Sequence, residues 1–248
     1  MAKRNESKKI YLITMILLCL FGVLFASYKL LYWTSSDIEN SEIKEEIEEN
    51  IVIEESNETN ETEFNVDFDS LKKKNKDTVA YLKVNNTKID YVVVKAKDND
   101  YYLHHNFNKK SNAAGWVFAD YHNKFDGSDR NIVIYGHNMK NGTMFGTLKK
   151  TFKKEWYKNT DNHIITLVTD QGTLKSQVFS VYSIPVEDYY INTKFSSDND
   201  FYKFIKTLKS RSIYNFKVDV NKTDKILTLS TCNSAGKNRT VLHAKLIQ

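Results

Sequence analysis

Apolar and polar positions change rhythm three times along this chain. From Ile10 to Tyr28 the run IYLITMILLCLFGVLFASY holds nineteen residues without a charge, about the length a helix needs to cross hydrocarbon. Lys3, Arg4, Lys8 and Lys9 precede it. The small residues around LFASYK are not spaced as a cleavage site requires, which favours a retained anchor over a cleavable signal peptide. The basic flank then stays in the cytoplasm and everything after Tyr28 lies outside. Next, Asp37 to Glu63 carries twelve acidic residues, one lysine and no aromatic residue. That composition predicts a solvated stalk, although Ile43, Ile47 and Ile51 recur at a helical interval. The predicted division is a basic tail 1–9, a membrane helix 10–32, an acidic stalk 33–63 and a folded domain 64–248.

From Phe64 the pattern becomes globular. FNVDFDSLKKKNKD predicts a short amphipathic helix that Asp67 or Asp69 can cap. Strand-like runs then dominate: TVAYLKV, KIDYVVVKA, GWVFAD, NIVIYGH, HIITLVTD, LKSQVFSVYSIPV, KILTLSTC and TVLHAKLIQ. They are rich in Val, Ile, Thr and aromatics, with turn residues such as Asn85-Asn86 and Gln171-Gly172 between them. About eight strands in one domain predict a closed barrel or a sandwich. Two helical patches interrupt them, TMFGTLKKTFKKEWYK and FYKFIKTLKS. The second follows Ser197 and Asp198 as caps and places Phe201, Phe204, Ile205 and Leu208 on one face, the stripe of a helix docked on the barrel. The connection that holds it, between Pro185 and Lys225, is long enough for a functional role.

Charge and cysteine count sharpen the picture. Residues 1–36 carry +4 and the acidic segment −11, which leaves +12 for 64–248 in a chain of net +5. A basic outer domain suits an anionic wall or membrane surface, or is simply a lysine-rich solvated face; nucleic acid is a poor partner for an exported domain. Of two cysteines, Cys19 lies in the apolar run and Cys232 is alone in the domain. A single thiol outside the cell is an oxidation liability unless it does chemistry or links two molecules.

A nucleophilic thiol needs a proton acceptor or a positive neighbour. His163 and His243 sit inside strand patterns. His104 and His105 are adjacent and would face opposite ways in a strand; in a helix or loop they could bind metal with His122, but no cysteine or carboxylate cluster supports that. His137 ends NIVIYGH as Cys232 ends KILTLSTC, so two strand ends meeting at one barrel rim would join imidazole and thiol. Arg239 opens the next strand, in a chain with four arginines against thirty-two lysines. Its fixed fork of donors suits an oxyanion better than the flexible ammonium of Lys237.

TLSTC followed by arginine, with an upstream YGHNM, an N-terminal anchor and an all-β domain, resembles the class B sortases over essentially all of 64–248. The resemblance implies an eight-stranded β-barrel with an N-terminal helix and a long helix-bearing insert between the sixth and seventh strands. It implies a cysteine transpeptidase of Gram-positive surfaces that needs no cofactor or metal. Such an enzyme cuts a sorting signal of the Asn/Ser-Pro-x-Thr type after its threonine, holds it as a thioacyl enzyme, and passes it to an amine of a peptidoglycan cross-bridge or stem peptide. The family's histidine, cysteine and arginine fall on His137, Cys232 and Arg239. Leu103, Tyr190, Ile191 and Ser230 would line the peptide groove. Asn233 stands where some relatives carry an acid, which leaves open what orients the histidine. The rival readings are a wall-crosslinking L,D-transpeptidase, whose cysteine normally follows glycine as STCNSAG does not, an anchored wall-binding module with a structural thiol, and a dimer linked through Cys232.

Overall fold

Helix α1 (Ala2–Glu48) runs through the apolar stretch and on into the acidic one. The computed structural model describes residues 2–55, 62–232 and 238–247. The apolar side chains from Ile10 to Leu31 are largely exposed, and by length and composition this helix can cross a membrane. The acidic part corrects the expectation of a solvated stalk: Ser36, Asn40, Ile43 and Ile47 are all buried. Their three- and four-residue spacing makes one stripe down the helix. Acidic residues beside the stripe meet lysines of the basic domain, Glu46 with Lys74 at 2.8 Å and Glu39 with Lys110 at 3.6 Å. Beyond the helix, β1 (Ile51–Glu55) pairs antiparallel with β2 (Thr62–Val66), and Phe64 and Val66 pack on the core. High net charge hid both elements, because composition averages over a stripe only one residue wide.

Asp67 caps α2 (Phe68–Lys74), its carboxylate accepting the Ser70 N–H at 3.0 Å. Eight strands follow: β3 (Thr78–Val84), β4 (Asp90–Val94), β5 (Phe118–Ala119), β6 (Asn131–His137), β7 (Ile164–Thr169), β8 (Gly172–Pro185), β9 (Ile226–Cys232) and β10 (Asn238–Leu246). They match the eight predicted runs and close as a barrel in the order β10-β8-β7-β3-β4-β5-β6-β9, which decides against a sandwich. The pairs β4–β5 and β6–β9 are parallel and the rest antiparallel. Strand β6 has neighbours on both sides and buries every residue from Asn131 to Gly136, as its unbroken apolar run requires.

The insert between β8 and β9, the sixth and seventh barrel strands, carries α4 (Asp198–Arg211). The Ser197 hydroxyl accepts the Asp200 N–H at 3.2 Å, and Phe201, Ile205 and Leu208 are fully buried. Arg130, just before β6, bonds Asp198 at 2.8 Å and lies 4.1 Å over the Phe201 ring. The insert is therefore clamped to the root of β6. The other helical patch is not one helix. It divides into a 3-10 turn, Leu148–Phe152, and the short α3 (Lys154–Lys158), separated by Lys153 in extended conformation.

Gly136 shows how tightly the end of β6 is packed. A Cβ there would sit 2.7 Å from Cγ of the buried Phe145. Gly136→Ala is expected to destabilise the domain by about 1–3 kcal/mol through overpacking, read as a lower midpoint in chemical denaturation. An unchanged midpoint would show that Phe145 can yield.

Candidate active site

Seven consecutive residue pairs align β6 with β9, from Asn131 opposite Ile226 to His137 opposite Cys232. Parallel strands leave a barrel at the same rim, so this register brings two residues 95 positions apart to adjacent strand ends. The Nε2 of His137 lies 2.9 Å from the carbonyl oxygen of Leu103, the last residue of a 3-10 turn, Tyr101–Leu103. A carbonyl only accepts, so Nε2 carries the hydrogen and Nδ1 keeps the free lone pair. Burial pushes the imidazole below its ordinary value; the Leu103 bond opposes this, while electrostatic interaction with His104 and Arg239 adds to it. His137 is thus neutral at pH 7, with an acceptor nitrogen available.

Arg239 is the second residue of β10, opposite Ile184 of β8, and two residues further on Val241 aligns with Ser230 of β9. Its charge acts on His137 while its side chain lines a pocket of about 170 Å³ together with Asn99, Tyr135, Tyr190, Ile191 and Ser230. The Tyr190 and Ser230 hydroxyls lie 3.0 Å apart, and both residues are buried. Three of the four residues expected along a peptide groove therefore gather around Arg239. Leu103 does not line this pocket; it contributes its main-chain carbonyl to His137. A wider, open cleft of about 720 Å³ continues past Asn99, Asp188 and Ile191 under the insert. Asn233 and Lys237 lie outside the described residues.

Tyr135 was not singled out from the sequence. It stands two residues before His137, on the same face of β6, and its hydroxyl donates to Asp120 at 2.9 Å. Period-two alternation backwards from the histidine was the available signal. Asn99, which donates to the same carboxylate at 2.8 Å, had none. The remaining histidines have structural partners. His243 is fully buried between Tyr182 and Thr228, each at 2.9 Å, and burial pushes its pKa down to about 3. His163 bonds the Tyr157 carbonyl, His105 the Tyr101 carbonyl and His122 the Asp120 carboxylate. Among the described residues no group of three metal-ligating side chains converges.

A sortase-domain family model matches residues 82–247. The chain belongs to the sortase family. Sortase B of Listeria monocytogenes is 38% identical over 180 residues, covering 71% of this chain and 72% of that protein. Clostridium perfringens sortase B superposes with a TM-score of 0.68 at 40% identity, over 73% of this chain and 99% of that one. A Staphylococcus aureus sortase B–substrate complex does so with 0.69 at 35%, over 73% and 84%. These relatives place the chain in class B and make it a cysteine transpeptidase; neither the L,D-transpeptidase nor the binding-module reading is favoured. The eight-stranded sortase barrel is the fold observed.

The electrostatics of His137 can be measured directly. In a Cys232→Ala variant, which removes the thiol's own titration, the His137 ring protons should titrate below 6.5 by nuclear magnetic resonance, because burial outweighs the Leu103 bond. A midpoint at or above 6.5 would contradict the buried, neutral imidazole.

Proposed function

We propose that this sortase cleaves a C-terminal sorting signal of the Asn/Ser-Pro-x-Thr type after threonine and joins the new carboxyl end to a peptidoglycan amine. The observation that carries this is the strand register that sets His137 beside Cys232. Cys232 is the nucleophile: the chain has two cysteines, and the other, Cys19, is exposed on the apolar part of α1.

In the first half-reaction the neutral Nδ1 of His137 takes the thiol proton, and the sulfur attacks the threonine carbonyl carbon. The carbonyl electrons move onto oxygen, where the Arg239 guanidinium stabilises the oxyanion. As that oxyanion collapses, the C–N bond breaks and His137 returns its proton to the departing amine, leaving a thioester. In the second half-reaction an acceptor amine attacks the thioester, His137 receives the amine's proton, and the C–S bond breaks as the new amide forms. The sulfur leaves as thiolate and takes that proton back. The pocket around Tyr190, Ile191 and Ser230 is the place for the residues preceding the threonine, and Leu103 serves by holding the imidazole. Helix α1 anchors the enzyme in the membrane with its N-terminus cytoplasmic, and the basic domain works at the anionic cell surface.

Peptide-cleavage kinetics test the assignment. Cys232→Ala should abolish cleavage of a threonine-containing sorting peptide. Arg239→Ala should lower kcat by about 10²–10³-fold, the usual loss for one oxyanion donor, with a much smaller effect on KM. Cleavage that persists without the Cys232 thiol, or an Arg239→Ala effect confined to KM, would remove those roles.

A further inference from the structure

Between α1 and His137 lies the loop 104–116, and polar groups on α1 grip it. Asn40 Nδ2 donates to Asn112 Oδ1 at 3.2 Å and to the Gly115 carbonyl at 3.1 Å. Asn112 Nδ2 donates to the Ser36 carbonyl at 3.1 Å, and the Ala113 N–H to the Ser36 hydroxyl at 3.2 Å. Ser36, Asn40 and Asn112 are 3%, 5% and 1% exposed. Apolar docking through Ile43 and Ile47 would not need three buried polar side chains. Burying them is costly unless they pair, so their pairing selects one position of helix on loop.

The same loop residues press on the support of the imidazole. The Asn112 N–H donates to the His104 carbonyl at 2.8 Å and the Trp116 N–H to the Tyr102 carbonyl at 2.9 Å. Gly115 has φ +56°, and a Cβ on it would collide with the Tyr102 carbonyl and come 2.8 Å from the Leu103 oxygen. Backbone 112–116 is thus laid directly against backbone 102–104, on both sides of the one carbonyl that accepts from His137.

We propose that the Ser36–Asn40 stretch of α1 is a positioning element for His137, acting through Asn112 and Gly115 on the Leu103 carbonyl. This rests on the reading of His137 as the proton carrier. None of these residues touches the reacting atoms. They hold the bond that fixes which imidazole nitrogen is free and where it points, and misplacement of a catalytic group by about 1 Å can cost about 10²-fold in rate. The helix that carries the membrane span is then also part of the support of the active site.

The test uses the full chain in nanodiscs with two perturbations from opposite ends of the network. Asn40→Leu removes the donors to Asn112 and Gly115 without adding charge. Gly115→Ala displaces the Leu103 carbonyl from the loop side. Among the described residues the charged or titratable groups acting on His137 are His104 on the gripped loop and Arg239 on β10; Glu39 of α1 reaches Asn112 at 3.3 Å and stays in place. Each variant should lose about tenfold in kcat with KM within about twofold of native. The His137 titration should move further toward acid, because the Leu103 bond that raises it is weakened. Glu42→Ala, exposed on the same helix, should change none of these. A lowered melting temperature with native kcat and native His137 titration in whichever variants fold would reduce the contact to simple docking and overturn the proposal. If His137→Ala itself keeps native cleavage, the proton-carrier reading fails instead, whatever the helix variants do.

Discussion

The pairing of β6 with β9 is the constraint on which the rest of the site depends. A slip of one residue would exchange the partner of His137 and turn every β9 side chain to the opposite face. The register is held by more than main-chain bonds. The Thr228 hydroxyl donates to Asn131 Oδ1 at 2.7 Å across the two strands, inside the barrel wall. The Asn131 amide in turn donates to the Asn192 carbonyl at 3.0 Å, one residue past the turn that carries Tyr190 and Ile191. One buried asparagine therefore ties the alignment of histidine and cysteine to the placement of the pocket wall. With Arg130 clamping the start of α4, the insert is fastened at two points to the same end of β6.

Electrostatics then give the three candidate groups different tasks. The imidazole is buried, next to a permanent cation, and held by a carbonyl at one nitrogen; all but the last favour the neutral form. A neutral imidazole can take a proton from sulfur, and once charged it can give that proton to a leaving amine. Arg239 keeps its charge throughout, so it can oppose a developing oxyanion without itself exchanging a proton. The Leu103 carbonyl, from a distant part of the chain, accepts from Nε2 of His137 and so fixes which imidazole nitrogen is free.

Much of this was legible in the sequence. All eight barrel strands announced themselves by apolar, β-branched runs, and NIVIYGH and KILTLSTC coincide with β6 and, within one residue, β9. Asp67 and Ser197 were readable as caps because short acceptor side chains precede amphipathic runs. The docked half of α1 was not readable, since Ser36 and Asn40 are polar and gain burial only by bonding a loop some seventy residues away. The role of Leu103 was hidden for a related reason: it acts through its backbone, which the identity of a side chain does not report. Tyr135 lay within reach of strand periodicity, whereas the split of the first helical patch at Lys153 depends on packing that no local pattern records.

The central claim is that Cys232, at the strand end beside His137, carries the substrate as a thioester. Mass spectrometry of the full chain, quenched in acid during turnover of a threonine-containing sorting peptide, tests it most directly. The account predicts one adduct, with the mass of the peptide through its threonine less one water, located on Cys232 and released by an added amine. An adduct on another residue, or peptide turnover with no covalent intermediate on that sulfur, would contradict it.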